Sequence, residues 1–78
     1  MKEQFRERYQ GIGLKIAYYR KRRGYTQEQL AELIEKSWSF VSQIEANNGA
    51  KVKGISLDTL FTIADTLEVP VYKFFLED

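Results

Sequence analysis

Apolar residues recur every three or four positions near the start of the chain, the spacing of one face of an α-helix. The members of this stripe are Phe5, Tyr9, Ile12, Ile16 and Tyr19. Gly11 and Gly13 interrupt the stripe, and each weakens a helix by about 1 kcal/mol relative to alanine. We therefore expect residues 1–10 to form either an N-terminal arm or an extension of this first helix. Gly24 predicts the end of the helix, because glycine readily adopts the left-handed conformation found there.

Two short helical patterns occupy residues 26–45. Thr26 followed by Gln29 predicts a capping box, in which both side chains bond to the backbone at the start of a helix. The inward residues of this second helix are Leu30, Ala31 and Ile34. Ser37 caps a third helix, which turns Val41 and Ile44 inward. Two helices so close in sequence cross steeply, so that the second helix can support the third while the third protrudes. A protruding helix fits the major groove of DNA.

A fourth helix follows a loop at residues 46–55, where glycine and Asn-Gly signals replace any periodicity. Ser56 caps this helix, and its expected inward residues are Leu57, Leu60, Ile63, Ala64 and Leu67. No strand pattern, repeat or second domain is evident. The pattern, with the fifth helix described next, predicts an all-α single domain over residues 1–78.

The predicted fifth helix, Val71–Leu76, carries more apolar surface than the core of a small domain needs. Pro70 occupies a first helical position and starts it. We expect Phe74 and Phe75 to close the core. The apolar residues left for a partner are then Tyr72 and Leu76, with Phe5 and Tyr9 of the N-terminal stretch. A twofold homodimer is the simplest such partner, and a small domain with exposed aromatic residues is the alternative.

The chain lacks the side chains that most metal and redox sites require. It contains no cysteine and no histidine, so disulfides are excluded and zinc could be held only by carboxylates. No segment approaches membrane-spanning length, and the N-terminus lacks the apolar stretch of a secretion signal. We expect a cytoplasmic protein with no cofactor, no metal and no membrane association.

Charge is distributed unevenly, although the net charge is only +1. Residues 1–23 carry eight Lys and Arg against two Glu, whereas the remaining residues carry four Lys against nine carboxylates. Near-neutral charge argues weakly against nucleic acid, and the clustering argues weakly for it. The run Arg20–Arg23 fits either a phosphate contact or a solvated helix end, where the helix dipole favours cations.

The order of residues from the basic run onward is similar to that of a known family. The matching positions are Arg20, Gly24 to Ala31, Ser37, Val41 to Glu45, Ser56 to Leu60, Ile63, Ala64 and Leu67 to Val69. They resemble the phage-repressor (Cro-like, XRE-type) helix-turn-helix family. The resemblance implies a compact five-helix lambda-repressor-like domain, with the helix-turn-helix at helices 2 and 3. It also implies a homodimer on a pseudo-palindromic operator, with helix 3 in the major groove.

Two features depart from the family pattern. Glu35 and Lys36 stand in the turn between helices 2 and 3, where the family has glycine and then an aliphatic residue. Glutamate in a left-handed conformation costs roughly 1 kcal/mol, so we expect a strained or reshaped turn. The loop after helix 3 is also longer than is usual in the family.

The resemblance assigns DNA contacts to helices 2 and 3 and to the loop that follows. Gln27 matches a residue whose amide grips a phosphate, and its alternative role is that of an ordinary capping-turn residue. Gln43 matches a base-reading position, and its amide can bond adenine N6 and N7. Helix 3 carries no Lys or Arg, which excludes bidentate guanine contacts from it. The candidate DNA contacts are Gln27, Ser37, Trp38, Ser39, Ser42, Gln43, Asn47, Asn48, Lys51 and Lys53.

Two aromatic residues and one ion pair complete the prediction. Trp38 is expected either to touch DNA or to fold over Leu33 and Lys36 as a lid on the core. Phe40 is expected to pack against the long loop rather than touch DNA. Arg20 and Glu45 match a family pair that joins the ends of helices 1 and 3, for which we expect a structural role.

These observations favour a sequence-specific regulator that binds double-stranded DNA as a homodimer and represses transcription by occupying an operator. The chain has no room for a separate ligand domain, so no small-molecule ligand is expected. The alternative is a protein-interaction or antitoxin-like helix-turn-helix module, which the lack of positive charge on helix 3 supports. An enzyme is the third class, and without His, Cys or a glycine-rich phosphate loop its only candidates are scattered carboxylates.

Overall fold

Four α-helices and two 3-10 helices form the part of the chain that the structure, a computed structural model, describes, residues 2–46 and 54–76. The α-helices are α1 (Arg6–Arg22), α2 (Gln27–Leu33), α3 (Trp38–Ile44) and α4 (Leu57–Leu67). An N-terminal 3-10 helix (Glu3–Phe5) precedes α1, and a C-terminal 3-10 helix (Val71–Phe75) follows α4. These described ranges contain no strand, in agreement with the predicted all-α class. None of their helices is long and apolar enough to cross a membrane.

Helix α1 runs without a break through both of its glycines. Residues 6–10 form its first turns, so this stretch is continuous with the helix. Gly13 is buried, and a Cβ atom there would collide with the backbone carbonyl of Ile44. Gly11 meets nothing within 4 Å. The two glycines therefore differ in purpose, because only Gly13 is required for α1 to approach the end of α3.

The predicted helix starts are confirmed at all three polar caps. The Thr26 hydroxyl accepts a hydrogen bond from the Gln29 backbone N–H, and the Gln29 side chain accepts one from the Thr26 backbone N–H, which completes the capping box. Ser37 accepts from the backbone N–H of Phe40 at the start of α3. Ser56 caps α4 in the same way. Each cap satisfies backbone donors that the first turn of a helix leaves unpaired.

Helices α1, α2 and α4 are each followed, one or two positions after their last residue, by a residue in the left-handed conformation. These residues are Gly24 (φ 78°), Glu35 (φ 57°) and Glu68 (φ 56°). After α2, the N–H of Lys36 donates to the Ala31 carbonyl at 2.9 Å, and that of Glu35 donates to Glu32 at 3.2 Å. This is the hydrogen-bond pattern that glycine usually completes. The turn thus keeps the ordinary shape of a helix C-terminus, and the expected strain falls on Glu35.

The core consists of apolar residues contributed by every α-helix and by the C-terminal 3-10 helix. Its members are Ile16, Leu30, Ala31, Ile34, Val41, Ile44, Leu60, Ile63, Ala64, Leu67 and Phe74. The prediction for Leu57 was wrong, because its side chain is 60% exposed. Leu57 is the first residue of α4, directly after the Ser56 cap. The buried face of the helix begins only at Leu60.

The fifth predicted helix is not an α-helix. Pro70 precedes the C-terminal 3-10 helix as its cap, and the N–H of Lys73 bonds to the Pro70 carbonyl at 3.0 Å, three residues back. Five residues, most of them β-branched or aromatic, are too few to favour an α-helix. Phe74 is buried as expected, but the prediction for Phe75 was wrong, since it is 53% exposed. With three residues per turn, neighbouring side chains point about 120° apart, so only one of this pair can face the core.

Candidate nucleic-acid interface

Helix α3 is fixed at its end by a buried ion pair. The Arg20 guanidinium donates from Nε to Glu45 Oε2 at 2.8 Å and from Nη2 to Glu45 Oε1 at 2.9 Å. The relative exposures of Arg20 and Glu45 are 7% and 8%. A third donor, Arg20 Nη1, reaches the Tyr25 carbonyl at 2.7 Å, just before the start of α2. One side chain of α1 thereby ties together the beginning of α2 and the end of α3.

Gln27 belongs to the same hydrogen-bond network. Its amide Nε2 donates to Glu45 Oε1 at 3.0 Å, and its side chain is partly buried. Glu45 Oε1 therefore accepts from Gln27 and Arg20 at once. Gln27, the phosphate-binding candidate on α2, is therefore hydrogen-bonded to the Arg20–Glu45 ion pair. Periodicity along the chain did not indicate this contact.

The outward side of α3 presents small polar groups. Ser39 and Gln43, one helical turn apart, are both exposed, and Ser42 is half-buried beside them. Val41 and Ile44 on the opposite side are buried in the core. Ser37 is exposed and caps the helix. The structure thus brings Ser37, Ser39, Ser42 and Gln43 to one helix and its cap, with hydroxyl and amide groups facing outward.

Trp38 begins α3 and is 55% exposed. Leu33, the residue it would cover as a lid, is itself 51% exposed. The lid interpretation is therefore wrong for this structure. The indole is left at the edge of the same face as Ser39 and Gln43, with much of its surface open to a partner.

Phe40 and Lys36 form a contact beside this face. Phe40 is partly buried and packs against the core, and the Lys36 ammonium lies 5.4 Å from the centre of its ring. Packing of Phe40 against the long loop concerns residues 47–53, which lie outside the described residues, as do the candidates Asn47, Asn48, Lys51 and Lys53.

Three of the four cations in the basic run donate hydrogen bonds to groups of the same chain. Besides Arg20, the Arg22 guanidinium donates to the Tyr18 hydroxyl at 3.0 Å, and this hydrogen bond raises the pKa of Arg22. Arg23 donates from Nε to the Leu67 carbonyl at 2.8 Å and lies 3.1 Å from the Glu68 carboxylate. Arg23 thus caps the end of α4. The Arg20–Glu45 pair was predicted, whereas neither interpretation of the run, phosphate contact or solvated helix end, named the partners of Arg22 and Arg23.

The dimer candidates lie at the C-terminal 3-10 helix and just beyond it. Tyr72 and Leu76 are 58% and 52% exposed. Leu76 also borders a groove between α1 and the C-terminal 3-10 helix, which we name the outer groove. Its apolar lining includes Leu14, Tyr18, Phe75 and Leu76, and its polar lining includes Glu7, Arg8 and Lys15. On α1 these residues recur at helical spacing on a face different from the one that carries the buried Gly13, Ile16 and Arg20.

Comparisons with known proteins agree with this geometry. A family model described as Helix-turn-helix matches residues 16–74, most of the chain. The crystal structure of a hypothetical transcription factor from Neisseria is similar, with a TM-score of 0.78 and 25% sequence identity. The alignment covers 96% of this chain and 78% of that one. No curated protein matches the chain. From the matched family and the braced, outward-facing α3, the chain belongs to the XRE-type helix-turn-helix family of DNA-binding transcription regulators.

Proposed function

We propose that the protein is a sequence-specific repressor that binds double-stranded DNA as a homodimer on a pseudo-palindromic operator. The observation that carries the proposal is the presentation of α3. Ser39 and Gln43 are exposed, while Val41, Ile44 and Glu45 on the same short segment are buried. A helix anchored on one side and polar on the other is suited to enter the major groove. The similarity to a transcription factor supports the same assignment.

Bases are read in this proposal by neutral groups of α3. Gln43 makes a bidentate contact with adenine, and Ser39 and Ser42 bond to base edges or allow close approach. The exposed indole of Trp38 packs against a thymine methyl or a sugar at the edge of the same face. Since α3 has no cation, adenine and thymine positions contribute more to discrimination than guanine positions do.

Phosphate contacts position the helix without reading sequence. We assign this role to Gln27 and Ser37, and to Asn47, Asn48, Lys51 and Lys53, which lie outside the described residues. Gln27 stands at the start of α2, where its amide donates to Glu45 Oε1. Lys36 precedes the Ser37 cap and is the cation nearest in sequence to α3.

The homodimer is assigned to the apolar surface of the C-terminal segment. Tyr72, Phe75 and Leu76 are each more than half exposed within a stretch of five residues. In a twofold dimer formed through this segment, the interface would bury the same residues of both copies. The position of the twofold axis would also set the distance between the two α3 helices. Repression then follows from operator occupancy in the cytoplasm, with control by protein concentration or by a partner chain.

Selection of bound sequences from a random duplex DNA pool tests the proposal directly. The expected result is an enriched, inverted-repeat site whose half-sites contain adenine at a fixed position. Enrichment of no sequence, with affinity that is the same for every duplex, would contradict sequence-specific regulation.

A second candidate function is a protein-interaction module of antitoxin-like type. The outer groove and the exposed Tyr72 favour it, because apolar surface of this kind attracts protein partners. A salt titration separates the two candidates. DNA binding weakens steeply as salt rises, since phosphate contacts release counterions, whereas apolar association does not.

A further inference from the structure

We propose that Glu45 is a positioning residue for DNA binding, which holds the Gln27 side-chain amide in the orientation that a phosphate requires. The inference rests on the proposed function, because it specifies how one of the assigned phosphate contacts is prepared. The contacts that carry it are those of the Glu45 carboxylate with Arg20 and Gln27.

The first step is the rigidity of the Glu45 carboxylate. Arg20 grips it through two parallel hydrogen bonds of 2.8 and 2.9 Å. This two-pronged arrangement fixes the plane of the carboxylate as well as its position. Arg20 is itself held by the Tyr25 carbonyl at 2.7 Å. The location of Glu45 Oε1 relative to the start of α2 is therefore determined by the fold.

The second step is the orientation of the amide. An ionised carboxylate only accepts hydrogen bonds, so Gln27 must direct its NH2 group, and not its carbonyl oxygen, towards Glu45 Oε1. An amide NH2 group has two hydrogens, and Glu45 takes one of them. The second hydrogen remains for another acceptor, and a phosphate oxygen also only accepts. One nitrogen can thus bridge Glu45 and a DNA phosphate.

The third step is the entropic consequence. A glutamine side chain that must be ordered during binding lowers affinity, whereas one ordered beforehand does not. Loss of the Glu45 contact should therefore weaken binding roughly 2- to 10-fold, the cost of immobilising one flexible side chain. The loss should depend on Gln27 being present.

A double-mutant cycle tests this dependence. Glu45→Asp retains the negative charge beside Arg20 but withdraws the carboxylate from Gln27. The unmodified protein, Gln27→Ala, Glu45→Asp and the double variant are each titrated against one random-sequence duplex at low salt, by fluorescence anisotropy. We expect Glu45→Asp to weaken binding 2- to 10-fold when Gln27 is present and to have little effect in the Gln27→Ala background. An equal loss in both backgrounds would show that Glu45 only stabilises the fold, and would overturn the inference.

Glu68→Gln is the matched control, because it alters a carboxylate paired with an arginine, Arg23, whose hydrogen bond goes to the Leu67 carbonyl at the end of α4. It should leave affinity unchanged in both backgrounds. If Glu45→Asp fails to fold, Arg20→Lys replaces it in the cycle, since lysine keeps the charge but not the two-pronged grip.

A second readout concerns the protein without DNA. The side-chain amide hydrogens of Gln27 should exchange with water more slowly than those of the exposed Gln43, and Glu45→Asp should abolish the difference. Identical exchange at the two glutamines would overturn the inference even if DNA binds. If the unmodified protein binds no duplex at all, both the proposed function and this inference fail, whereas binding with additive losses rejects the inference alone.

Discussion

Gly13 on α1 packs directly against the backbone carbonyl of Ile44, the last residue of α3. The contact is closer than any side chain allows, since a Cβ atom at Gly13 would overlap the carbonyl oxygen. Because Ile44 O belongs to the backbone, it cannot move aside as a flexible side chain would. This contact and the Arg20–Glu45 ion pair together set the position of α3 against α1.

Substitution of the two α1 glycines by alanine should have opposite effects on stability. Gly13→Ala should lower the free energy of unfolding by about 1–3 kcal/mol, because the added methyl group forces α1 and α3 apart. Gly11→Ala should raise it by up to about 1 kcal/mol, since the site is open and alanine favours the helix. Urea unfolding followed by circular dichroism measures both. Changes of the same sign in the two variants would contradict the packing described for Gly13.

Glu35→Gly should stabilise the protein by about 0.5–1 kcal/mol. Glu35 has φ of 57°, and glycine adopts this conformation without the steric cost that a Cβ atom incurs. Glu32→Gly is the matched control, because Glu32 is an exposed glutamate in the regular part of α2 and should lose about 1 kcal/mol. Thermal unfolding of the two variants at one protein concentration provides the comparison. A lower midpoint for Glu35→Gly would indicate that its carboxylate contributes more than the strain costs.

The Arg20–Glu45 and Arg23–Glu68 pairs should differ sharply in their contribution to stability. Glu45→Gln leaves the buried Arg20 without a counter-charge and should cost about 3–5 kcal/mol. Glu68→Gln disrupts a pair whose side chains are 42% and 70% exposed, and should cost less than about 1 kcal/mol. Denaturant midpoints, measured at low and high salt, distinguish them. Comparable losses in the two variants would mean that burial is not what gives the Arg20 pair its importance.

Gln43→Ala should relax base preference at one base pair in each half-site. The loss of a bidentate contact to adenine corresponds to about 1–3 kcal/mol of discrimination, while phosphate contacts are unaffected. Affinities for the selected site, for single-base variants of it and for an unrelated duplex provide the measurement, and Gln4→Ala in the N-terminal 3-10 helix is the control. A uniform loss on every sequence would reassign Gln43 from base reading to backbone contact.

Charged substitutions in the C-terminal 3-10 helix and just beyond it should dissociate the proposed homodimer. Tyr72→Glu and Leu76→Glu each place a carboxylate on a surface that the dimer would bury, and sedimentation equilibrium should then report a monomer. Phe61→Glu is the control, since Phe61 is 47% exposed on α4 and does not line the outer groove. A monomeric unmodified protein would exclude this dimer altogether.

Much of the fold and part of the candidate site follow from signals that act within a few residues. Thr26, Ser37 and Ser56 bond to backbone groups three positions away, so their caps can be read from the chain. The exposure of Gln43 follows from the burial of Val41 and Ile44 on the same helix. Leu57 and Phe75 were misassigned because a residue at the boundary of a helix, or in a tighter helix, does not follow the α-helical period.

The remaining features join residues that are distant in sequence. Arg20 and Glu45 are 25 positions apart, and Arg23 reaches the Leu67 carbonyl 44 positions away. Family resemblance anticipated the first of these pairs, but neither periodicity nor charge indicated the second, nor the bond from Gln27 to Glu45. The sequence by itself determined where α2, α3 and α4 begin, because backbone capping and local apolar spacing are short-range interactions. Only the tertiary structure decided that Arg20 and Gln27 both donate to the Glu45 carboxylate, and that Gly13 packs against the backbone of Ile44. Both contacts depend on how the helices pack together.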